Sequence, residues 1–526
     1  MKNENKIILL LLMGSMIFPA CKKVLDVPNP NTFTAADFWK TEADLQQGLT
    51  AAYNTFYKEG TWTRNIYTLM DGSADDGTSL AGWTELQEWS KFKYTNYDFF
   101  EMGYKIWSDH YKAIFRANQV LDHVGQVSFS NDDNKKKLVG QAKFLRGLYY
   151  FYLEVLWENI PLVLKTSTPG DAPKQSTPAE VWAQIASDLK EAAEDLPAAW
   201  DAANKGRATK GAALAYLGKV YMQQKKWQEA KDALSWLVEG DGKQYYDLMP
   251  NYGDNFTNAN ENNKESVFEI QFSEVYATGY DDDFSPSSNL GSQHAMNAAP
   301  KGLGWNNIQA SRWMVDYYKR EKTVGGKNDI RLFTNLWYND RTQDFPDQAD
   351  SLVYGRSWNE DPTWGNQVFI RKYSSKLNNR DLEFYWNDVN YRLIRYADVL
   401  LCYAEILNEL NHAPNALAIQ CVDRVRQRAN LPLLINSTYY NGVAIEADYT
   451  QFQKHLQTER GLELCLECVR WIDLKRWGLL DTQAGIDELK GRDPDFSNFI
   501  LNKSFRLPLP QSEVDNNPNL KQNTPY

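Results

Sequence analysis

The chain of 526 residues lacks an excess of positive charge, has few cysteines and, beyond its first twenty residues, contains no long apolar run. Lys and Arg number 57 against 68 Asp and Glu, a net charge of −11, which argues against nucleic acid as a partner because that binding relies on basic side chains neutralising phosphates. No stretch after the N-terminus reaches the length of a membrane-spanning helix. Of the five cysteines, Cys402, Cys421, Cys465 and Cys468 fall in helical patterns. Cys465 and Cys468 are spaced CxxC, but no second pair and no adjacent His accompanies them, so they read as small buried residues and not as a metal or redox site. GxSxG, HExxH and phosphate-loop patterns are also missing, which leaves no motif for nucleophilic, zinc or nucleotide chemistry. No catalytic residue, cofactor or metal is therefore expected.

What is present is an aromatic surplus and a helical scaffold. Eighteen Trp, 30 Tyr and 23 Phe make up 13 % of the chain, more than a core alone requires. The segment 207–237, RATKGAALAYLGKVYMQQKKWQEAKDALSWL, reads as two amphipathic helices joined by a polar turn at Gln223 to Lys226. Leu214, Leu217, Gly218 and Tyr221 on one helix and Ala230, Leu234 and Leu237 on the next stand at the offsets of a tetratricopeptide repeat. One such repeat cannot bury its apolar face alone, so helix pairs are expected on either side.

The N-terminus carries Lys2 and Lys6, an apolar run over 7–18, then Pro19, Ala20 and Cys21, the pattern of an export signal. A cysteine directly after it resembles a bacterial lipobox, with Phe18 where leucine is usual, and marks Cys21 as the lipidation site. A polar, proline-bearing tether follows. Thr41 and Asp44 form a capping-box pattern ahead of the first helix. From 58 to 102 the periodicity vanishes and the composition becomes loop-like, although Trp62, Trp83 and Trp89 argue for order. Paired helical patterns return through residues 104–156, and Thr177, Pro178 and Glu180 mark a further helix start. From 245 to about 390 short strands, such as 266–272 and 368–373, alternate with Asn, Asp, Gly and Ser clusters. Helical patterns resume at 391–410, 416–428 and 450–477. The expectation is a mainly α protein in which a tetratricopeptide-like helix-pair scaffold carries an inserted loop-rich subdomain with short strands. Its divisions fall at 1–20 (signal), 21–33 (tether), 34–244 (helical, with the long loop at 58–102), 245–390 (loop-rich) and 391–526 (helical, packing back on the scaffold).

Three late stretches resemble the hallmark segments of the SusD/RagB family of nutrient-binding outer-membrane lipoproteins: YRLIRYADVLLCYAEILNEL (391–410), ERGLELCLECVRWIDLKRWG (459–478) and RLPLPQSEVDNNPNLKQNTPY (506–526). The pieces CKKVLDVPNP, RGLYYFYLEVLWENIPLV and DRVRQRANLP agree with them. The resemblance implies a lipid-anchored protein on the bacterial surface. Such a protein captures an oligosaccharide, or in some members a peptide, and delivers it to a SusC-like TonB-dependent transporter in the outer membrane. It implies a binding region in the loop after the first helix and in the segment before the middle helix, and carries over no single residue.

Within those regions the residues themselves supply candidates. A sugar presents an apolar ring face and a rim of hydroxyls, so its capture calls for flat aromatic rings beside carboxylates, amides or guanidinium groups. Arg64, Asp75, Asp76, Trp83 and Trp89 in the first region and Tyr280 and Trp305 in the second have that mixture. Asp71, Gln293 and His294 lie among them. Asp281 to Asp283 could serve calcium but lack the spacing of an EF-hand and read as a solvated turn. Trp313, Trp471 and Trp477 fall in helices and read as packing. Charges at helical spacing, among them Arg395, Glu405, Glu459, Arg460, Glu463, Arg470 and Asp473, read as ion pairs between helices and not as a glycosidase acid and base. The competing functions are a peptide binder of the same architecture and an assembly scaffold with no small ligand.

Overall fold

A computed structural model describes residues 38–80, 82–93, 101–274, 290–339, 352–374, 387–440 and 443–526. In chain order the first elements are α1 (Glu42–Tyr53), α2 (Asn65–Ser73), β1 (Gly77–Thr78), α3 (Thr84–Ser90), α4 (Glu101–His123), α5 (Asp132–Trp157), α6 (Pro178–Asp195), α7 (Lys210–Gln223) and α8 (Trp227–Val238). The middle contains β2 (Ser266–Ile270), α9 (His294–Ala298), β3 (Gln309–Ala310), α10 (Arg312–Arg320), α11 (Ile330–Asn335), β4 (Leu336–Tyr338) and β5 (Val368–Ile370). The last part contains β6 (Tyr391–Arg395), α12 (Tyr396–Asn411), α13 (Ala416–Arg428), α14 (Tyr449–Glu463), α15 (Arg470–Arg476), α16 (Gln483–Lys490) and α17 (Gln511–Asn516). No helix among the described residues is long and apolar enough to cross a membrane.

The helix-pair scaffold follows from local signals. Thr41 with Asp44 and Thr177 with Glu180 form reciprocal capping boxes at the starts of α1 and α6. The helices α4, α5, α6, α7 and α8 then pack successively as antiparallel neighbours. Gly218 of α7 permits the closest approach, since a Cβ there would lie 2.5 Å from a Leu234 methyl of α8. Arg146 of α5 clamps Asp188 of α6 through two bonds of 2.8 and 2.7 Å, which fixes that pair in rotation as well as distance. Chain-terminal residues close the far side: Trp157 Nε1 donates to the Pro508 carbonyl at 2.9 Å, and the Asn523 amide donates to the Trp157 carbonyl at 2.7 Å.

The later helices join this scaffold through buried charge. Lys219 of α7 reaches Asp398 of α12 at 2.5 Å, and Arg460 of α14 bonds the same carboxylate at 2.8 Å and Asp473 of α15 at 2.7 Å. Arg395, at the end of β6, holds Glu265, Glu463 and Glu467 at 2.6, 2.9 and 2.8 Å. Glu405, Glu459, Arg460, Glu463 and Asp473 therefore form the inter-helix pairs that their spacing suggests, whereas Arg395 acts from a strand and Arg470 pairs with Asp75, which lies outside any helix. The sheets are small: β1 pairs with β3, β2 with β6 and β4 with β5, all antiparallel.

Three local expectations change. The stretch at 58–102 is not one loop, because it contains α2 and α3. All nine residues of α2 are buried, so no polar face exists to mark a helical period. Residues 391–395 form a strand instead of starting a helix, and all five are buried, so no alternation marks it either. The helix expected over 450–477 breaks at 464–469, where Leu466 and Cys468 adopt positive φ of 55° and 58°. There the Leu466 and Cys468 amides donate to Asp76 and Asp71 at 3.1 and 2.8 Å, not to the preceding helical turn.

Candidate ligand-binding site

The segment before α2 determines where the first candidate points. Gly60 has no side chain because the backbone of α4 is against it: a Cβ would lie 2.1 Å from the Lys105 carbonyl oxygen. Its amide donates to Asp109 of α4 at 2.9 Å. This seats Glu59 between Lys105 and Arg64, and its carboxylate pairs with both. The Arg64 guanidinium so oriented lies 4.3 Å from the ring centroid of Trp83 and 5.1 Å from that of Trp305. Three of the expected residues, 241 positions apart in sequence at the extremes, thus form one cluster of two indoles about a cation.

Each ring is placed by its own element. Trp83 stands at the N-cap position of α3, and Leu80, three residues earlier, is 51 % exposed. The Trp305 amide donates to the Met296 carbonyl at 2.8 Å, which folds the 299–305 turn back over α9. Both indoles are half-buried, so each keeps area accessible to a ligand. Beside Trp305 an amide group gathers that was not foreseen: Gln309 donates to Asn306 at 2.8 Å and Asn306 donates to Gln367 at 3.2 Å. Glu59, Lys105, Asn306 and Gln367 had no sequence signal, since each is a common polar residue whose partners lie far along the chain.

The remaining candidates take other positions. Trp89 is 3 % exposed and packs in the core, so its ring presents no platform to a ligand. Asp75 and Asp76 are fully buried. Asp75 accepts from Arg470 at 2.6 and 2.8 Å and from Arg492 at 3.0 Å; burial opposes its charge, but the two guanidinium groups outweigh burial and hold its pKa below the usual value. Asp76 has no such cation of its own, and burial followed by the charge of Asp75 pushes it up to about 7. Asp71 is raised well above its ordinary value by burial and then by Asp76. Asp71 and Asp76 cap the 464–469 turn, Asp75 pairs with arginines, and none of the three faces solvent. His294 is buried among Tyr67, Tyr373 and Tyr391, and burial lowers its pKa to about 3. Gln293 is buried beside it. Tyr280, Asp281 to Asp283 and Cys21 lie outside the described residues. Among the described residues no group of three or more His, Cys, Asp or Glu could hold a metal ion.

Comparison with known proteins agrees with this architecture. Residues 264–526 match the model of the SusD family, and residues 23–222 match a family described as starch-binding associating with outer membrane. The chain belongs to the SusD family. SusD-like protein P2 of Formosa agariphila is 28 % identical over 513 residues, covering 93 % of each chain, and a SusD-like protein of Bacteroides ovatus is 24 % identical, covering 98 % of this chain and 97 % of that one. Among solved structures, a SusD superfamily protein from Bacteroides vulgatus superposes with a TM-score of 0.79 at 26 % identity, covering 93 % of this chain and all of that one. A laminarin-binding SusD-like protein superposes at 0.73 and 25 % identity with the same coverage. The SusD fold, with its tetratricopeptide-like helices, is the fold described above.

Proposed function

We propose that this SusD-family protein captures an oligosaccharide at the Arg64, Trp83 and Trp305 cluster without cleaving it. In this reading the protein is held at the outer membrane, facing outward, by lipid on Cys21, and passes its ligand to a SusC-like TonB-dependent transporter. The observation that carries the reading is the guanidinium set between two half-exposed indoles with amides beside them. Two flat faces suit the C–H faces of sugar rings, and the half-buried Asn306 and Gln367 supply donors and acceptors for the hydroxyl rim, with buried Gln309 holding the two amides in place. The laminarin-binding relative and the starch-binding description of the family that matches residues 23–222 support a glycan over a peptide. The buried carboxylates of the late helices support binding without hydrolysis, because Glu405, Glu459, Glu463 and Asp473 are each engaged by arginine and shielded from solvent.

Affinity electrophoresis of the detergent-solubilised full chain through gels containing neutral polysaccharides, with reducing ends assayed on the same mixtures, tests this reading. Retardation without new reducing ends is expected. Trp83→Ala and Trp305→Ala each remove an anchoring ring and are expected to weaken binding about 30-fold, the scale of a 2 kcal/mol hot spot. Retardation that survives both substitutions would move the site elsewhere, and release of reducing ends would make the protein a hydrolase.

A further inference from the structure

A second cavity, of about 410 Å³, opens between α10, α14, α15 and α16, a volume within the range of small-molecule sites. Its walls are aromatic: Tyr317, Tyr440 and Trp477 are half-buried around it and Trp313 lies deeper. Its polar lining is cationic, with Lys454, Arg470 and Arg492 against the single carboxylate Glu488. Asp75, beneath the cavity, neutralises one of these charges, and an excess of one cation remains in a protein whose net charge is −11.

The cations are arranged with donors to spare. Lys454 is exposed and its ammonium makes no ion pair or hydrogen bond with the described residues. Arg492 gives one bond to Asp75 and one to Glu488, using two of its five N–H groups. The guanidinium of Arg470 lies 5.8 Å from the Trp313 centroid and 5.6 Å from that of Trp477, so cation and ring faces border the same space. Arg320 stacks on Tyr317 at 3.6 Å and adds a further positive charge near the rim. Rings that can stack on a sugar and uncompensated cations that can take an oxyanion occur here together.

We propose that this cavity is a second saccharide site, specific for a sugar bearing a carboxylate or a sulfate ester. That the ligand is a saccharide rests on the capture reading above; that it is anionic rests on this cavity alone. Asp75 braces the cavity floor, and the same chain reaches Trp83 eight residues later, so the two Cα atoms lie within about 29 Å of each other by chain length. The segment that braces the cavity floor thus runs through β1 toward the first site.

Calorimetric titration of the detergent-solubilised full chain with four probes separates the possibilities: an oligogalacturonate, its methyl ester, a sulfated galactan oligosaccharide and inorganic sulfate. At least one of the two anionic oligosaccharides is expected to bind saturably and more weakly as salt rises, with the methyl ester about tenfold weaker than its acid. Lys454→Glu is expected to lower that affinity about tenfold while leaving neutral-glycan binding and melting temperature unchanged. Tyr440→Ala is expected to weaken it without changing the preference for the acid over the ester. Failure of both anionic oligosaccharides to bind, equal binding of acid and ester, or indifference to Lys454→Glu would overturn the proposal, and inorganic sulfate binding as tightly as the sulfated oligosaccharide would reduce the cavity to a simple anion site. Loss of anionic binding in Trp83→Ala but not in Lys454→Glu would assign that ligand to the first site, keeping the capture reading and discarding this one.

Discussion

Replacing Asp75 by Asn keeps the size of the side chain and removes the charge that Arg470 and Arg492 share. Arg470 is 4 % exposed and cannot rehydrate, whereas Arg492 is 17 % exposed and partly can. Breaking one buried pair while its partner stays charged costs about 3–5 kcal/mol, and the hydration open to Arg492 places the expected loss toward the lower end. With an unfolding entropy of about 2.1 cal/mol/K per residue, a chain of this size unfolds with roughly 1.1 kcal/mol/K, so the melting temperature is expected to fall by about 3–4 °C at pH 7. The pH dependence has a definite sign. The folded pKa of Asp75 is lowered, so its stabilisation is complete above the ordinary carboxylate value of 3.8 and is lost as pH falls through the lowered one. Parent and variant should differ at pH 7 and converge in strong acid, as followed by circular dichroism during heating at pH 7, 5 and 3. A variant that melts within 1 °C of the parent at pH 7 would refute the reasoning and return Asp75 to the pool of ligand carboxylates.

Further outcomes follow from the same geometry. Gly60→Ala drives a methyl into the α4 backbone at Lys105, which cannot rotate away, so it should destabilise the fold by more than about 1–3 kcal/mol, the ordinary cost of overpacking, and should also displace Glu59 and weaken neutral-glycan binding; unchanged affinity would show that Glu59 does not set the Arg64 orientation. Trp89→Ala should cost about 3–5 kcal/mol in a denaturant titration, whereas the half-exposed Trp83→Ala should cost far less, and equal losses would contradict the division of the two rings between core and site. Both carboxylate oxygens of buried Glu154 lack a partner, and burial raises its pKa to about 8 against the pull of Lys475. The unfolded chain releases this proton near pH 4.5 and the folded one only near 8, so this group should lower parent stability by a few kcal/mol over that interval; Glu154→Gln should remove that share and flatten the profile, leaving the share of Asp71 and Asp76, and an identical pH profile in the variant would place the charge elsewhere.

The repeat at 207–237 was legible because its signals are local: a glycine opposite a leucine, a polar turn, and apolar positions at helical offsets. The capping boxes at Thr41 and Thr177 were legible for the same reason. Elements buried on every side were not, since α2 and β6 show neither a helical nor an alternating pattern. In the candidate site, residue type singled out Arg64, Trp83 and Trp305 as candidates, while their gathering into one cluster is visible only in the structure. Type alone could not separate Trp83 from Trp89, because both precede polar residues in the same stretch and only the packing of α3 turns one inward. Nor could it separate a carboxylate that meets a ligand from one that meets a distant arginine: Arg470 lies 395 residues from Asp75.

That last distance shows how the site is held. The acidic run from Asp71 to Asp76 reads locally as ligand chemistry, yet each of its three carboxylates is spent on the 464–470 segment: Asp71 on the Cys468 amide, Asp76 on the Leu466 amide and Asp75 on Arg470. Two of these acceptors meet backbone N–H groups that the positive-φ residues Leu466 and Cys468 turn out of the helical ladder. The break between α14 and α15 and the acidic run therefore require each other, since the turn exposes donors that would be costly to bury unpaired and the run supplies their acceptors. The next residues, Gly77 and Thr78, pair with Ala310 and Gln309, five and four positions after Trp305. The chain on either side of β1 and β3 carries Trp83 and Trp305, so one short ladder, braced from below by a turn nearly 400 residues away, sets the spacing of the two indoles. A braced base lets half-exposed rings keep their places without burying them, because the order comes from the buried acceptors beneath and not from packing around the indoles.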